Sequence, residues 1–433
     1  MVQAVNAATR ADRLFARIEA QRDDLVALTR VLVRIPTVNP PGEAYIACAE
    51  AIGRRLAARG FAVEYTRAEA ARADSARYPR TNVVARIEGN GSGPCVHFNG
   101  HIDVVEPGQG WTVDPFGGTV RDGRVYGRGT CDMKGGIAAA IIASEAILAE
   151  GIRFPGAIEI SGTVDEETGG YAGVAWLAER GYFSPPRVHH VIIPEPLQVD
   201  RVCLGHRGVW WAELEMHGRI AHGSMPFLGV SAIRGMGRFL DLVERELYPK
   251  LDARRTRMPV MPEGARASTL NFNSIHGGLP EGFDGPPAPL VADSCRLVLD
   301  RRFLIEEKLD DVKAEMVALI ERATRERPGL AYELREIMTF MPTLTEPDAP
   351  VVRALDAEIE RVLGRKPAHV ASPGTYDQKH VARIGHLHDC VAYGPGLLEL
   401  AHQPDEFIVI EDMVASAKVM AATALRLLGC PLT

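Results

Sequence analysis

Five short segments of the chain carry side chains of the kind that bind divalent metal ions. The residues with this capacity are His101, Asp132, Glu167, Glu195 and His402. Two imidazoles and three carboxylates make a suitable ligand set for a pair of divalent cations such as zinc, cobalt or manganese. The carboxylate of Glu166 stands beside these residues in the sequence and is left over. A metal pair with a free carboxylate next to it can activate water, so the pattern predicts hydrolytic chemistry.

The first part of the chain alternates between predicted helices and strands. The predicted helices are Arg10–Arg34, Ala44–Arg59, Gly136–Glu150 and Tyr171–Arg180, and the predicted strands are Thr81–Glu88, Cys95–Asn99, Ala157–Val164 and Val188–Ile193. Because the strands are apolar and alternate with helices, they predict an α/β fold with a mostly parallel central sheet covered on both faces. Asp103, Asp165 and Glu195 each follow a predicted strand, and ligand sites in such sheets gather beyond the carboxyl ends of the strands.

Residues 204–340 interrupt this alternation of helices and strands with a different order of predicted elements. Their predicted elements follow the order strand, helix, strand, strand, helix, strand, which is typical of a small α+β domain. This region contains none of the five candidate ligands, and the main domain must resume after it to supply His402. The sequence therefore predicts a catalytic domain made of residues 1–203 and 341–433, with residues 204–340 inserted. Within the insertion, Gly277–Asp293 is rich in Gly and Pro and is predicted to be an exposed loop.

Composition and charge argue against several classes of protein. The 433 residues carry a net charge of −7 and no basic run, which disfavours a nucleic-acid binder and favours a small-molecule substrate. No apolar run is long enough to span a bilayer, and the charged segment Met1–Asp24 lacks the apolar stretch of a signal peptide. The seven cysteines are scattered without CxxC spacing, so we expect reduced thiols in a cytoplasmic protein.

In their order along the chain, these motifs resemble those of the M20 metallopeptidase family. The family includes acetylornithine deacetylase, succinyl-diaminopimelate desuccinylase, aminoacylase-1 and carboxypeptidase G2. The similarity runs from about Leu25 to the C terminus. It implies an α/β metallopeptidase domain, an inserted α+β lid and dimerisation domain, and a homodimer formed through the lid. It also implies two divalent metal ions, and the chemistry would survive in weaker form if only one were held at working concentration.

The resemblance assigns each candidate ligand to a metal. His101 in the HxD motif binds one ion, and Glu195 completes the shell of that ion. Asp132 bridges both ions. Glu167 is a ligand, and His402 completes the shell of the second ion.

Three further residues receive catalytic or orienting roles from the resemblance. Asp103 is not a ligand but orients His101 and raises its basicity. Glu166 is the general base that takes a proton from water and delivers it to the departing amine. His222, in the lid segment Ala221–Pro226, is expected to polarise the scissile carbonyl from the partner subunit. Taken without the resemblance, a histidine in such a loop is more often structural.

The substrate-contacting residues are expected in the lid and in a loop of the main domain. Gly205–Gly208 resembles the Arg-Gly turn of the family, and its Arg207 could pair with a substrate carboxylate or equally form a surface ion pair. Gly374 and Thr375 fit a substrate-contacting loop. Many desuccinylases have an Asn-Val-Ile-Pro turn in the lid, whereas the corresponding stretch Pro289–Asp293 has no Asn. The resemblance therefore does not identify the substrate.

Three functions remain open at this point. The first is a deacylase that cleaves the amide C–N bond of a small N-acyl amino acid or a similar molecule. The second keeps the same site and changes the substrate, as in a dipeptidase, a carboxypeptidase or a hydrolase of an unusual aryl C–N bond. The third is a metal-dependent binding or scaffold protein that has lost catalysis, although the intact Glu166 argues against it, because a structural site needs no free base.

Overall fold

Helices and strands alternate along most of the computed structural model, which describes residues 9–71, 73–280, 282–283, 285 and 288–432. Residues 1–8 of the predicted catalytic domain and four positions of the predicted loop 277–293 lie outside the described residues. The helices are α1 (Arg10–Ala20), α2 (Arg22–Val33), α3 (Tyr45–Ala57), α4 (Gly135–Ala149), α5 (Trp176–Ala178), α6 (Ala232–Leu242), α7 (Tyr248–Ala253), α8 (Leu309–Arg325), α9 (Pro350–Leu363), α10 (Gln378–Arg383) and α11 (Ile410–Leu427). The strands are β1 (Ala62–Arg67), β2 (Thr81–Glu88), β3 (Cys95–His101), β4 (Thr119–Arg121), β5 (Arg124–Tyr126), β6 (Ala157–Thr163), β7 (His190–Ile193), β8 (Arg201–His206), β9 (Gly208–His217), β10 (Thr269–Gly277), β11 (Ser294–Phe303), β12 (Ala331–Phe340), β13 (Thr343–Leu344), β14 (Ala368–Ser372), β15 (Cys390–Ala392) and β16 (Phe407–Val409).

The chain divides into two compact units. The first consists of Met1–Gly205, Thr345–Val370 and Tyr376–Thr433, and the second of His206–Leu344 and Ala371–Thr375. The sequence prediction placed the short second piece in the catalytic domain. It groups with the second unit because Ala371 exchanges backbone hydrogen bonds with Pro259 and Met261 at 2.9 and 3.1 Å.

The large sheet of the first unit is parallel in its middle. Its strands follow the order β1-β2-β6-β3-β7-β15-β8, and β14 also pairs with β8. The pairs β6–β3, β3–β7 and β7–β15 are parallel, whereas β1–β2, β2–β6 and β15–β8 are antiparallel. The predicted α/β class is confirmed. Because the central strands are parallel, their carboxyl ends meet at one edge, where the residues that follow them come together.

Helix α4 is apolar on every side and is buried over almost its whole length. Its sequence lacks the polar stripe of a surface helix because it is enclosed on all sides. Gly136 lets the first turn approach the segment between β7 and β8 closely. A methyl group at this position would lie 2.0 Å from the carbonyl oxygen of Pro194, directly before Glu195.

The second unit is a four-stranded antiparallel sheet with helices on it. The strand order is β10-β11-β9-β12, and α6 and α8 pack beside each other. Trp210, Leu214, Phe239 and Met316 belong to its buried core. Apart from the short α7 after α6, the observed order β9, α6, β10, β11, α8, β12 is the order expected from the sequence.

Two predicted helices differ from the observed elements. The predicted helix Arg10–Arg34 is two helices, which meet at Gln21, the C-cap of α1 and the N-cap of α2. The predicted helix Tyr171–Arg180 contracts to a wide turn and the short α5. Gly173 leaves helical geometry there because its backbone approaches Val164, where a methyl group would lie 2.1 Å from the carbonyl oxygen.

Among the residues that the structure describes, no helix combines the length and the apolar character that crossing a bilayer requires. All seven cysteines are free thiols, and every one except Cys430 is buried.

We expect Gly136→Ala to destabilise the protein although alanine favours helices. The added methyl group overlaps the Pro194 carbonyl, and overpacking of this kind lowers the free energy of unfolding by about 1–3 kcal/mol. Gly237→Ala in α6 is the matched control, because no atom lies within 4 Å of the added methyl group. Denaturant unfolding of both variants measures the difference. A Gly136→Ala protein as stable as the parent would contradict the close approach.

Candidate metal centre

The structure brings the five predicted ligands together in two groups that share Asp132. One group is His101, Asp132 and Glu195, and the other is Asp132, Glu167 and His402, with the ligand atoms of each group within 4.8 Å of one another. Asp132 Oδ1 lies 3.1 Å from His101 Nε2, and Asp132 Oδ2 lies 3.4 Å from His402 Nε2. The two oxygens of one carboxylate therefore face different imidazoles, as a bridging ligand requires.

Four of these ligands come from the carboxyl ends of neighbouring strands or from the turn before α4. His101 ends β3, Glu167 lies in the turn after β6, and Glu195 follows β7 by two residues. Asp132 lies in the turn Thr130–Lys134 that leads into α4, and the peptide bond after it is cis. His402 comes from the loop between β15 and β16 and has a left-handed backbone, with φ of 64°.

Asp103 orients both His101 and the loop that carries the acidic pair. His101 Nδ1 lies 3.0 Å from the carbonyl oxygen of Asp103, so the Nδ1 hydrogen is donated there and Nε2 faces the site. The Asp103 carboxylate accepts hydrogen bonds from the backbone N–H groups of Glu166 and Glu167, at 3.2 and 3.1 Å, and from Asn39 at 2.9 Å. Asp103 thus contacts His101 as well as the backbone of both Glu166 and Glu167.

The pKa values of the proposed ligands indicate that positive charge is favoured beside their carboxylates. Burial raises the pKa of Glu195 well above its usual value and raises the pKa of Glu167 to about 7. Burial acts the same way on Asp132, but hydrogen bonds from His101 and His402 outweigh it and hold its pKa low. Hydrogen bonds to Asp132 and Glu167 raise the pKa of His402 to about 10. Protons bound to the imidazoles and to the carboxyl groups thus offset the negative charge of the site.

This donor set fits a pair of divalent cations. Three buried carboxylates would neutralise most of the four positive charges of two such ions. Nitrogen and oxygen ligands of this kind suit zinc, cobalt and manganese. Nε2 of His101 already faces Asp132 and Glu195, at 3.1 and 3.9 Å.

Glu166 lies beside the ligands without belonging to either group. Its Oε1 receives a contact of 3.1 Å from Lys379 Nζ, whereas no hydrogen bond to Oε2 occurs within the described part of the chain. The side chain of Glu166 is 11% exposed. Sequence reasoning did not find Lys379, because nothing near it in the sequence points to Glu166.

Two further buried ion pairs hold the loops that carry the ligands. Glu406 accepts hydrogen bonds from the backbone N–H groups of Cys131 and Asp132, at 2.8 and 3.1 Å, and pairs with Arg128 at 2.5 Å. Glu406 stands four residues after His402 in the same acidic motif, which was the available signal.

The second ion pair supports the loop that begins after β6. Asp165 has a left-handed backbone and accepts hydrogen bonds from Arg80 Nε and the Tyr45 hydroxyl, at 3.0 and 2.9 Å. Burial raises the pKa of Asp165 to about 6.

His222 belongs to the second unit and is exposed. Its Nδ1 accepts from the Ser224 backbone N–H at 3.2 Å and lies 2.7 Å from the Ser224 hydroxyl. Because Nδ1 accepts, Nε2 carries the hydrogen and is the atom able to donate to a carbonyl oxygen. His222 also forms an isolated strand bridge with Leu290, in the stretch that lacks the family's Asn.

The three predicted substrate contacts also belong to the second unit. Arg207 is buried, and its guanidinium donates to the carbonyl oxygens of Pro373 and Ala267, each at 3.0 Å. It is therefore not the surface ion pair of the alternative interpretation. Gly374 and Thr375 are half-buried, and the Gly374 N–H donates to Ser372 Oγ at 3.2 Å. Arg207 and the Gly374 loop thus lie side by side, which the sequence alone did not predict.

Comparison with known proteins gives a consistent family. A sequence model of peptidase family M20/M25/M40 matches residues 97–426. The chain is 32% identical to a succinyl-diaminopimelate desuccinylase of Methylobacterium nodulans, over 90% of this chain and 92% of the relative. It is also 32% identical to an acetylornithine deacetylase of Myxococcus xanthus, over 87% of this chain and 90% of the relative.

Solved structures share the fold at lower sequence identity. The dipeptidase Dug1p of Saccharomyces cerevisiae superposes with a TM-score of 0.76 and 16% identity, covering 98% of this chain and 100% of that chain. A Bacillus subtilis protein described as a dinuclear metal binding peptidase from the M20 family superposes with a TM-score of 0.67 and 17% identity, covering 95% and 99%. At these identities the likeness concerns the fold alone.

We expect Glu406→Gln to weaken metal binding while leaving all five ligands in place. The amide puts a donor where Glu406 now only accepts, facing either the backbone N–H groups or Arg128. Loss of such an orienting contact typically lowers metal affinity about 10–100-fold. Competition with a chelating dye measures the affinity. Glu411→Gln, at an exposed ion pair with Arg22, is the control and should bind metal like the parent. Equal affinity of both variants would remove Glu406 from this role.

Proposed function

We propose that this chain, which belongs to peptidase family M20/M25/M40, removes the acyl group from a small N-acyl amino acid or a similar carboxylate-bearing amide. Membership of the family makes the protein a hydrolase of amide C–N bonds, as the sequence predicted. The observation that carries the proposal is the carboxylate of Glu166, which belongs to neither group of ligands, beside two groups that share Asp132. The two relatives named for deacylation support a deacylase over other members of the family.

The proposed cofactor is a pair of divalent ions, zinc, cobalt or manganese. His101, Asp132 and Glu195 would hold one ion, and Asp132, Glu167 and His402 the other. The raised pKa values of Glu167 and Glu195 support this proposal, because they indicate that positive charge is favoured there. The Bacillus subtilis protein described as a dinuclear metal binding peptidase also supports it. When bound, such ions lower the pKa of a water molecule from about 15.7 toward about 7 and polarise a carbonyl group.

The chain's own residues carry the proton. The unoccupied Oε2 of Glu166 takes a proton from the attacking water, because Oε1 is already held by Lys379. The same oxygen then delivers the proton to the amine nitrogen as the C–N bond breaks. Asp103 keeps Glu166 in place through its backbone N–H throughout both steps.

Residues of the second unit would recognise the substrate. His222 Nε2–H would donate to the scissile carbonyl oxygen, in the partner's site if the lid acts across a dimer. Arg207 uses Nε and Nη1 on backbone carbonyl oxygens. Nη2 makes no hydrogen bond to any of the residues that the structure describes, so it would contact a substrate carboxylate beside Gly374 and Thr375. The bidentate pairing considered from the sequence would then become a single contact.

The proposed assembly is a homodimer through the second unit. Ile220, Met225, Phe227 and Leu228 are exposed apolar side chains in one short segment, and Phe227 is 78% exposed. An apolar surface of this kind suits a second copy of the chain. The free thiols support the expected cytoplasmic location, because a reducing compartment keeps cysteines in that state.

A substrate panel tests the proposed activity. We expect N-succinyl and N-acetyl amino acids to release free amine faster than dipeptides, carboxyl-terminal peptides or N-aryl amides at equal concentration. Amine release, followed by a fluorogenic reagent, is the measurement. A dipeptide or an aryl amide turned over faster than every acyl amino acid would move the assignment to the alternative substrate classes.

The variant Glu166→Gln tests whether Glu166 is the general base. We expect the catalytic rate to fall about 10²–10⁴-fold, the usual contribution of a general base, with unchanged metal content. His222→Ala should also retain its metal and lose rate, since it removes a donor rather than a ligand. Full turnover by Glu166→Gln would contradict the proposed hydrolytic mechanism and favour the alternative of a metal-dependent binding protein.

Removal of metal tests the cofactor directly. After exhaustive chelation we expect amine release to stop, and elemental analysis of the restored enzyme to find about two ions per chain. Zinc, cobalt and manganese should each be titrated back, because the rate they restore identifies the working metal. Undiminished amine release by metal-free protein would contradict the proposed cofactor, and a single ion per chain with full rate would reduce the site to one metal.

A further inference from the structure

Lys379 is a buried lysine that contacts the proposed general base. It lies in α10, its side chain is 1% exposed, and its Nζ is 3.1 Å from Glu166 Oε1. The two residues are 213 positions apart in the sequence. Lys379 is neither one of the five proposed metal ligands nor one of the proposed substrate contacts.

The burial of this ion pair gives it a geometric effect that surface pairs lack. Exposed ion pairs contribute little because water screens them and their side chains move. A buried ammonium group is held in the structure only when it is paired and hydrogen-bonded. Lys379 therefore has few alternative positions, and it restricts the carboxylate that it contacts.

Asp377 supplies a second buried carboxylate that acts electrostatically on the same ammonium group. It is fully buried, and burial raises its pKa to about 7, with the charge of Lys379 as the strongest influence in the opposite direction. Asp377 Oδ2 accepts a hydrogen bond from Asn99 Nδ2 at 3.2 Å. Lys379 is thus influenced by two carboxylates, and one of them is anchored to strand β3.

Asp377 is connected through Asn99 to a series of buried polar side chains in contact with one another. Asn99 Oδ1 accepts from Ser161 Oγ at 2.7 Å, and Ser161 Oγ lies 2.7 Å from His97 Nε2. His97 Nδ1 lies 2.9 Å from Glu159 Oε1, a distance suited to an ion pair although the alignment is too poor for a good hydrogen bond. All these side chains are fully buried on β3 and β6. Because Ser161 donates to Asn99 Oδ1, the amide of Asn99 has its donor directed at Asp377.

These contacts define which oxygen of Glu166 can react. The backbone N–H of Glu166 is tied to Asp103, and Oε1 is tied to Lys379, so the carboxylate is held at two points. Only Oε2 stays open within the described residues. A base held in one orientation avoids the entropy loss of finding that orientation in each catalytic cycle.

We propose that Lys379 is the positioning residue of Glu166, holding Oε1 so that Oε2 faces the reacting water. The inference rests on the proposed function, because it requires Glu166 to be the base. It predicts an effect on the catalytic rate that acts through Glu166. A lysine that bound the substrate carboxylate would act on KM instead.

A double-mutant cycle between Lys379→Met and Glu166→Gln tests the proposal in the full-length, metal-loaded enzyme. With the most active N-acyl amino acid of the panel, we expect Lys379→Met alone to lower kcat about 10–100-fold, with KM within about twofold of the parent and metal content unchanged. In the Glu166→Gln background the same substitution should lower kcat less than about twofold, since the group that it positions is gone. Lys379→Arg, which keeps charge and donors, should recover most of the rate.

Matched controls separate the possible failures. Lys418→Met removes another lysine that pairs with a glutamate, Glu19 at 2.7 Å, and should leave kcat unchanged. An equal loss in both backgrounds would make Lys379 merely structural and overturn the proposal, as would a rise in KM alone. If Glu166→Gln itself keeps full rate, the proposed function fails rather than this inference. Should Lys379→Met not fold, Lys379→Gln takes its place in the cycle.

Discussion

Negative charge buried beyond the ends of the parallel strands is the constraint on which the first unit depends. The ligand atoms of Asp132 lie within 4.8 Å of those of Glu167 and of those of Glu195, and all three side chains are little exposed to water, so the repulsion within each pair is weakly screened. Burial raises the pKa of Glu167 and of Glu195 in response. Positive charge must therefore be supplied, and two imidazoles facing the same carboxylates prepare a place for cations.

The fold creates this concentration of charge through the direction of its strands. β6, β3 and β7 run parallel, so the residues that follow them reach one edge. Helix α4 then presses the turn that carries Asp132 against that edge. It approaches so closely at Gly136 that a side chain would meet the Pro194 carbonyl. Packing of the apolar helix therefore also positions the turn that carries Asp132.

A second layer of charged residues orients the first. Asp103 holds His101 and the backbone of Glu166, Glu406 holds the backbone of Asp132, and Lys379 holds the carboxylate of Glu166. Each of these residues is buried, so each needs its partner as much as the partner needs it. Such mutual dependence keeps the reacting groups within the narrow range of positions that catalysis requires.

The sequence by itself determined the α/β class of the first unit and the donors that it offers to the centre. Asp103, Asp165 and Glu195 follow predicted apolar strands, and that local pattern predicts the α/β fold that gathers the donors near them. Only the tertiary structure decided which oxygen of Asp132 faces which imidazole, that residues 371–375 join the second unit, and that Lys379 and Glu406 support the centre. The physical reason is separation along the chain. Glu406 is 275 residues from Cys131, and contacts over such distances arise from packing and leave no local periodicity.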